Sequence, residues 1–250
     1  VNKGITMSTS RVLIIIPAHN EEANIKRVIE ACKSKCPYCD FLVVNDCSQD
    51  KTELILDSEN VAYISLPINL GIGGAVQAGY RYARKHNYDI AIQVDGDNQH
   101  DVSFIHDMIR TIEEEDIDIV IGSRFIRKEG FQTSAPRRMG INFLSFLIFL
   151  CTGERVYDVT SGFRAVNRYF IDFYANSYPD DYPEPEAIVA AVMHKGKIKE
   201  IPVIMHERDG GKSSITFKRS IYYMIKVSLA IVICRISFGI RRGKRNAEHS

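Results

Sequence analysis

The sequence predicts an α/β fold: a Rossmann-like, mostly parallel sheet flanked by helices. Three observations predict it. Short apolar or β-rich runs recur at Arg11–Pro17, Phe41–Asn45, Val61–Ser65, 89–97 and Ile117–Gly122. Helical stretches alternate with them. Several runs end in Asn, Asp or Gly, the loop chemistry of strand carboxyl ends, where open α/β sheets bind ligands. The 250 residues, 45% of them hydrophobic, suffice for one such domain or a domain plus an appendage.

Arg11–Pro17 reads as a buried first strand that Pro17 ends. Asn20 then reads as a helix cap, with Glu21 and Glu22 in the first turn. The second strand, Phe41–Asn45, runs into Asp46-Cys-Ser-Gln-Asp50 and a helix from Lys51. A carboxylate at a strand end, as Asp46 is, can accept from a nucleobase N–H or a ribose hydroxyl. Asp50 reads equally as an N-cap. After the third strand, Asn69-Leu-Gly-Ile-Gly-Gly74 opens a helix to about His86. Its glycines, Gly71 and Gly74 among them, permit close backbone approach to a diphosphate or nucleoside, although the Lys-Ser/Thr of a P-loop is missing. Residues 89–97 form the fourth strand, Ser103–Glu115 a helix capped by Ser103, and Ile117–Gly122 the fifth strand.

The fourth strand ends in two carboxylates, Asp95 and Asp97, placed to share a face. Carboxylates that close repel unless a cation lies between them or one is protonated. Mg²⁺ or Mn²⁺, with a substrate phosphate, suits such oxygen ligands. Gln99 and His100 can add ligand or supporting groups. A calcium loop starting at Asp95 would need Gly and Glu where His100 and His106 stand. A solvated turn is the bland alternative.

Beyond Gly122 the pattern changes. Arg137–Cys151 reads as a helix with Arg138, Asn142 and Ser145 as its one polar stripe. It is too short to cross a bilayer upright, so it is read as lying at a membrane interface, with Arg137 and Arg138 near phosphates; a core helix is the alternative. Ser161, Gly162 and Arg164 make a polar turn into a strand, Glu184 and Glu186 start a helix, Ile198–His206 is strand-like, and Arg208–Ser214 is a basic loop containing Lys212. Ile221–Ile240 is apolar but holds Lys226 and Arg235, which favours an interfacial over a spanning helix.

The net charge of +1 argues against bulk nucleic-acid binding. It conceals a basic stretch, Gly210–Ala247, with no acidic residue, suited to an anionic membrane surface. Val1–Arg11 does not read as a signal peptide, so the working face is expected to be cytoplasmic. Six cysteines without a disulfide framework agree. Cys32, Cys36 and Cys39 have the spacing of a radical-SAM cluster loop but the wrong place in the chain, and read as reduced structural thiols.

Taken together, Pro17-Ala-His-Asn-Glu-Glu22, Val44-Asn-Asp-Cys-Ser-Gln-Asp50, Asn69-Leu-Gly-Ile-Gly-Gly74, Asp95-Gly-Asp97 with Gln99-His100, and Gly122-Ser-Arg124 resemble, in order and spacing, glycosyltransferase family 2. The dolichyl-phosphate mannosyltransferase-like branch is the nearest. The resemblance implies a GT-A fold over residues 11–215, between a 1–10 extension and a 216–250 membrane-associating segment, with 137–151 as the interface helix. It implies metal-dependent, inverting transfer from a nucleotide-diphosphate sugar to a polyprenyl phosphate. Under it, Pro17, Asn20, Glu22 and Asp46, with Gly71 and Gly74, bind the nucleotide. Asp95, Asp97 and Gln99 hold Mg²⁺ or Mn²⁺, and Asp97, Asp95 and Arg124 carry the chemistry. Arg124, Arg137, Arg138, Ser161, Arg164, Arg208 and Lys212 hold the acceptor phosphate or leaving diphosphate. Two departures are Asn45, where Asp is common, and Pro183-Glu-Pro-Glu186. A membrane surface, and an integral-membrane partner or second copy, are the expected partners. A glycan hydroxyl acceptor, or a non-catalytic nucleotide-sugar-binding scaffold, are the alternatives.

Overall fold

The computed structural model describes residues 10–127, 129, 130, 132–207 and 217–247, with the side chains of the last helix described over 222–238. The first half alternates as its apolar runs dictate: β1 (Val12–Ala18), α1 (Ile25–Lys35), β2 (Asp40–Asn45), α2 (Thr52–Ser58), β3 (Tyr63–Ser65), α3 (Gly71–Lys85), β4 (Ile90–Gln93), α4 (Ile105–Glu115) and β5 (Ile119–Ser123). Then follow α5 (Ala135–Thr152), β6 (Arg164–Asn167), α6 (Arg168–Asn176), α7 (Pro183–Met193), β7 (Ile198–Pro202) and α8 (Phe217–Ala247).

The seven strands form one sheet in the order β3-β2-β1-β4-β6-β5-β7. All neighbours are parallel except β6, which runs antiparallel to both β4 and β5. All seven residues of β1 are buried, as a central strand covered on both faces requires. Leu13 and Ile15 enter a core with α3, α5, α6, α7 and α8, whereas Val12, Ile14 and Ile16 enter one with α1 and α4. The period-2 alternation of a strand thus divides one apolar run between two layers.

Several boundaries differ from expectation. Helix α1 starts at Ile25, and Asn20 has φ 56°, so Asn20 shapes a turn rather than capping the helix. Asp101, not Ser103, accepts the cap bond, from the Ser103 N–H at 3.0 Å. Strand β4 ends at Gln93, although Val94 and Gly96 still donate to the Ile15 and Pro17 carbonyls, carrying an extended path past its end. Asp95 and Asp97 therefore stand in the loop beyond β4. Helix α6 was not anticipated; Asn167 caps it by accepting the Phe170 N–H. Cys32, Cys36 and Cys39 lie in the core, where burial above all pushes the Cys32 and Cys36 thiols up to about 12 and about 11.

Helix α5 has a different orientation from its predicted polar stripe. Ser145 is buried and donates to the Val156 carbonyl, and Ile141, Leu144 and Ile148 face the core beside it. The opposite stripe, Met139, Phe143, Phe146 and Leu150, is exposed. Helix α8 lies alongside, running in the same direction: Met224 touches Gly140, and eleven residues on Arg235 donates to the Cys151 carbonyl at 2.8 Å. Lys226 pairs with Asp181. Both charges of this apolar segment thus have partners in the domain. Val227 and Ile231 are buried, while Tyr222, Ile225, Leu229, Ile233 and Ile236 form a second exposed stripe. Among the described residues, no helix is long and apolar enough to cross a membrane.

Candidate active site

The loops following β1, β2 and β3 meet at the carboxyl edge of the sheet. The first two are laced together: Asn20 accepts from the Gln49 N–H at 2.7 Å, and Glu22 from the Lys51 N–H at 3.0 Å. Asp50 answers by accepting from the Glu22 and Thr52 N–H groups. Burial would raise its carboxyl, but the Thr52 hydroxyl and these N–H bonds bring it below the usual range. Asp46, 3% exposed, accepts the Leu70 N–H at 2.7 Å and so ties the glycine-rich turn to β2. His19 Nδ1 meets the Asp46 carbonyl at 2.7 Å, and Asn20 and Asn69 contact the same ring. Between these loops opens a groove of about 490 Å³ lined by His19, Asn20, Cys47, Gln49, Pro67, Ile68 and Asn69. Its size and mixed lining suit a nucleoside.

The glycine turn is used differently from expectation. Gly71 has φ 74°, which glycine tolerates best. The close approach, however, is at Gly73, where a Cβ would lie 2.0 Å from the Pro179 carbonyl oxygen. The nearest backbone is thus the chain's own 179–180 segment, to which Gly73 N–H donates at 3.1 Å. A Cβ on Gly74 would meet Leu70 in the preceding turn. Pro17 is buried, with its carbonyl receiving Gly96.

Further along the edge stand Asp95 and Asp97. Gln93 Nε2 donates to Asp95 Oδ1 at 2.9 Å, and the Gln99 N–H to Asp97 Oδ1 at 3.2 Å. Gln99 Nε2 donates to the His206 carbonyl at 3.3 Å, so its amide oxygen is the atom that could ligate a cation. Glu184, at the start of α7, lies within electrostatic reach of Asp95; chiefly burial raises its carboxyl, with Arg164 opposing.

Three predicted phosphate groups prove to be structural ties. Arg124 donates through Nε and Nη2 to both oxygens of Asp158, at 2.8 and 2.6 Å, and its N–H adds a third bond. Arg124 is 8% exposed and Asp158 fully buried. The fork that would grip a phosphate is taken by a buried carboxylate. Arg164, 1% exposed, donates to the Ser161 and Glu184 carbonyls. Ser161 donates to the Gly122 carbonyl at 2.7 Å. Arg137 and Arg138 differ: they occupy the first turn of α5, Arg137 exposed and Arg138 half-buried with its guanidinium over the Phe125 ring. Partial burial pushes Arg138 below its ordinary value, and Asp158 opposes this. Arg208 and Lys212 lie outside the described residues.

The family profile of Glycosyl transferase family 2 matches residues 13–174. The chain belongs to that family. The polyprenol monophosphomannose synthase of Mycolicibacterium smegmatis is 26% identical over 234 residues, covering 88% of this chain and 86% of that one. The UDP-N-acetylglucosamine–dolichyl-phosphate N-acetylglucosaminyltransferase of Methanococcus voltae is 29% identical over 217 residues, covering 79% and 86%. The glucosyl-3-phosphoglycerate synthase of Mycobacterium tuberculosis, crystallised with Mn²⁺, UDP-glucose and phosphoglyceric acid, shares the fold: TM-score 0.69 and 19% identity, covering 91% of this chain and 80% of that one. This glycosyltransferase therefore has the GT-A fold, and its relatives include polyprenyl-phosphate sugar transferases.

The donor set of the glycosyltransferase fits a hard divalent cation. Asp95, Asp97 and the Gln99 amide supply only oxygens, which suits Mg²⁺ or Mn²⁺. Among the described residues, no three His, Cys, Asp or Glu side chains gather into a closed cage. Such a set leaves positions for diphosphate oxygens and water, the usual coordination of Mg²⁺ at substrate phosphates. The groove residues His19, Cys47 and Asn69 lie inside the motif runs but had no role assigned from sequence; the anchors Asp158 and Glu200 had none either.

Proposed function

We propose that this glycosyltransferase moves a sugar from a nucleotide-diphosphate donor to a polyprenyl phosphate at the cytoplasmic face of a membrane. One observation supports the acceptor most: α5 carries Arg137 and Arg138 in its first turn and an exposed apolar stripe along the rest of its length. Cations at one end and apolar surface beyond them match a phosphate with a long hydrocarbon tail. The exposed stripe of α8 and the basic Gly210–Ala247 stretch suit an anionic bilayer.

In this reading, the groove walled by Asn20, His19 and Asn69 takes the nucleoside, and Glu22 and Asp46 hold its loops in place. Asp95, Asp97 and Gln99 would hold Mg²⁺ or Mn²⁺, which supplies charge neutralisation on the diphosphate as the sugar–oxygen bond breaks. Arg137 and Arg138 offset the acceptor's charge, so that two anions can approach. A phosphate oxygen then attacks the anomeric carbon opposite the leaving diphosphate, inverting it. The acceptor's second pKa is roughly 6 by analogy with phosphoesters, so near neutrality it needs no general base.

The test is transfer from labelled nucleotide sugars, with polyprenyl phosphate and an oligosaccharide offered in parallel. Chloroform-extractable, acid-labile label is expected. Label appearing only in the oligosaccharide would refute the lipid acceptor, and no turnover with any common donor would refute catalysis.

A further inference from the structure

We propose that Asp95 is fixed as a metal ligand by Gln93, Gly162 and His100, and that His100 is the positioning residue. The proposal rests on the metal reading above and adds to it the parts that aim one ligand.

Asp95 stands beyond the last rung of β4, so the sheet alone does not hold it. Its surroundings do. Gln93, fully buried, donates Nε2 to Oδ1 at 2.9 Å. His100 Nδ1 accepts the Asp95 N–H at 3.1 Å, which assigns the ring proton to Nε2, and Nε2 faces Asp95 Oδ2 at 3.6 Å. The imidazole is 8% exposed and stacks on Phe163, with ring centroids 4.9 Å apart and planes 14° from parallel. One ring thus bonds the backbone of Asp95 and lies alongside its carboxylate, and is itself held by packing.

Gly162 supplies the floor. A Cβ there would lie 2.8 Å from Gln93 Nε2 and 2.9 and 3.0 Å from the two Asp95 oxygens. The φ of Gly162 is not in the left-handed region, so the missing Cβ is what the site uses. Because the atoms in the way end flexible side chains, Gly162→Ala would be relieved by moving the carboxylate, not the fold. Groups that orient metal ligands are commonly worth about 10–100-fold in metal affinity.

The experiment titrates Mn²⁺ into wild type and variants with UDP and with GDP present, reading free Mn²⁺ by its six-line EPR signal. Circular dichroism confirms that each variant is folded. Asp97→Asn is expected to abolish binding. His100→Phe, which keeps the stacking, and Gly162→Ala are each expected to weaken it about tenfold or more. His100→Asn, whose amide oxygen can replace Nδ1, is expected to recover most of the loss. Wild-type Mn²⁺ affinity in both His100→Phe and Gly162→Ala, with binding lost in Asp97→Asn, would overturn the positioning role and leave the metal reading standing. A weak His100→Phe that His100→Asn does not restore would overturn the role of the Nδ1 bond. Binding undiminished in Asp97→Asn would overturn both readings. Should His100→Phe fail to fold, Gly162→Ala decides the positioning role.

Discussion

If the exposed stripe of α5 enters a bilayer, replacing Phe143, Phe146 and Leu150 by Gln should release the protein from it. These side chains are 51%, 58% and 63% exposed, so over half of each remains to be buried by a partner. Full burial of such a side chain is worth about 1.5–3 kcal/mol, so half contributes about 1 kcal/mol, and the three together about 3 kcal/mol. At 1.4 kcal/mol per decade, this predicts a loss of roughly 100-fold in partitioning. Gln keeps the helix propensity, and the altered positions face away from Ile141, Leu144 and Ile148, so stability should change little. Flotation with anionic vesicles measures the partition coefficient, and thermal unfolding provides the control. A triple variant that floats within threefold of wild type would refute the docking of this face.

Three further outcomes are expected. If Asp97 ligates the diphosphate's cation as proposed, Asp97→Asn should cut transfer by more than about 100-fold while leaving the melting temperature near that of wild type, since such a ligand is worth several kcal/mol in the transition state; full activity would refute that role. Cys47 lines the groove, so UDP or GDP should slow its alkylation by a maleimide, counted by peptide mass spectrometry; equal labelling with and without nucleotide would move the nucleoside elsewhere. Asp101→Asn should cost about 0.5 kcal/mol at neutral pH: the amide oxygen can keep the cap bond, but the charge that pairs with Lys35 at 2.9 Å is lost. Burial would raise the Asp101 carboxyl, but bonds from Lys35 and Ser103 outweigh it and set the folded value below the usual 3.8. Its contribution is therefore complete above that value and fades as pH falls through the lower folded one, so urea midpoints of wild type and variant should converge at acid pH. Convergence on the alkaline side would contradict the sign.

The strands of the first half were legible because strands buried on both faces carry unbroken apolar runs, as Val12–Ile16 does. The Asp95 and Asp97 pair stood out because acidic residues so close in sequence narrow the chemistry, but the sequence placed them on a strand, whereas β4 ends at Gln93 and they stand in the loop beyond it. Arginine defeated the reading because carboxylate and phosphate offer its fork the same geometry. Arg124 finds its carboxylate 34 residues away, a distance at which sequence carries no pairing signal. Glycine misled for a similar reason: Gly73 makes room for backbone, but the sequence does not say whose. Helix α6 escaped notice because its residues, Arg168–Asn176, follow a four-residue strand without an intervening loop.

The reversal at β6 explains how the two halves of the site are kept in register. Because β6 runs against its neighbours, its first residue, Arg164, pairs with Gln93 on β4 and Ile121 on β5. The residues leading into it, 158–163, therefore stand at the carboxyl edge, where a parallel strand would have put them at the opposite edge. From there this segment reaches both ways. Asp158 clamps Arg124 at the end of β5, itself held by Glu200, which accepts the Tyr157 and Asp158 N–H groups at 2.8 Å. Gly162 lies against Asp95 beyond β4. A change at Asp158 should accordingly reach Asp95, the proposed metal ligand, through the chain: removing one partner of a buried ion pair typically costs about 3–5 kcal/mol, and the loop it anchors is the floor of Asp95. Asp158→Asn is thus expected to weaken Mn²⁺ binding without touching a ligand, whereas a surface substitution such as Glu154→Gln, four residues away, should not. If Asp158→Asn loses stability but keeps wild-type Mn²⁺ affinity, the segment joins the two halves in space only.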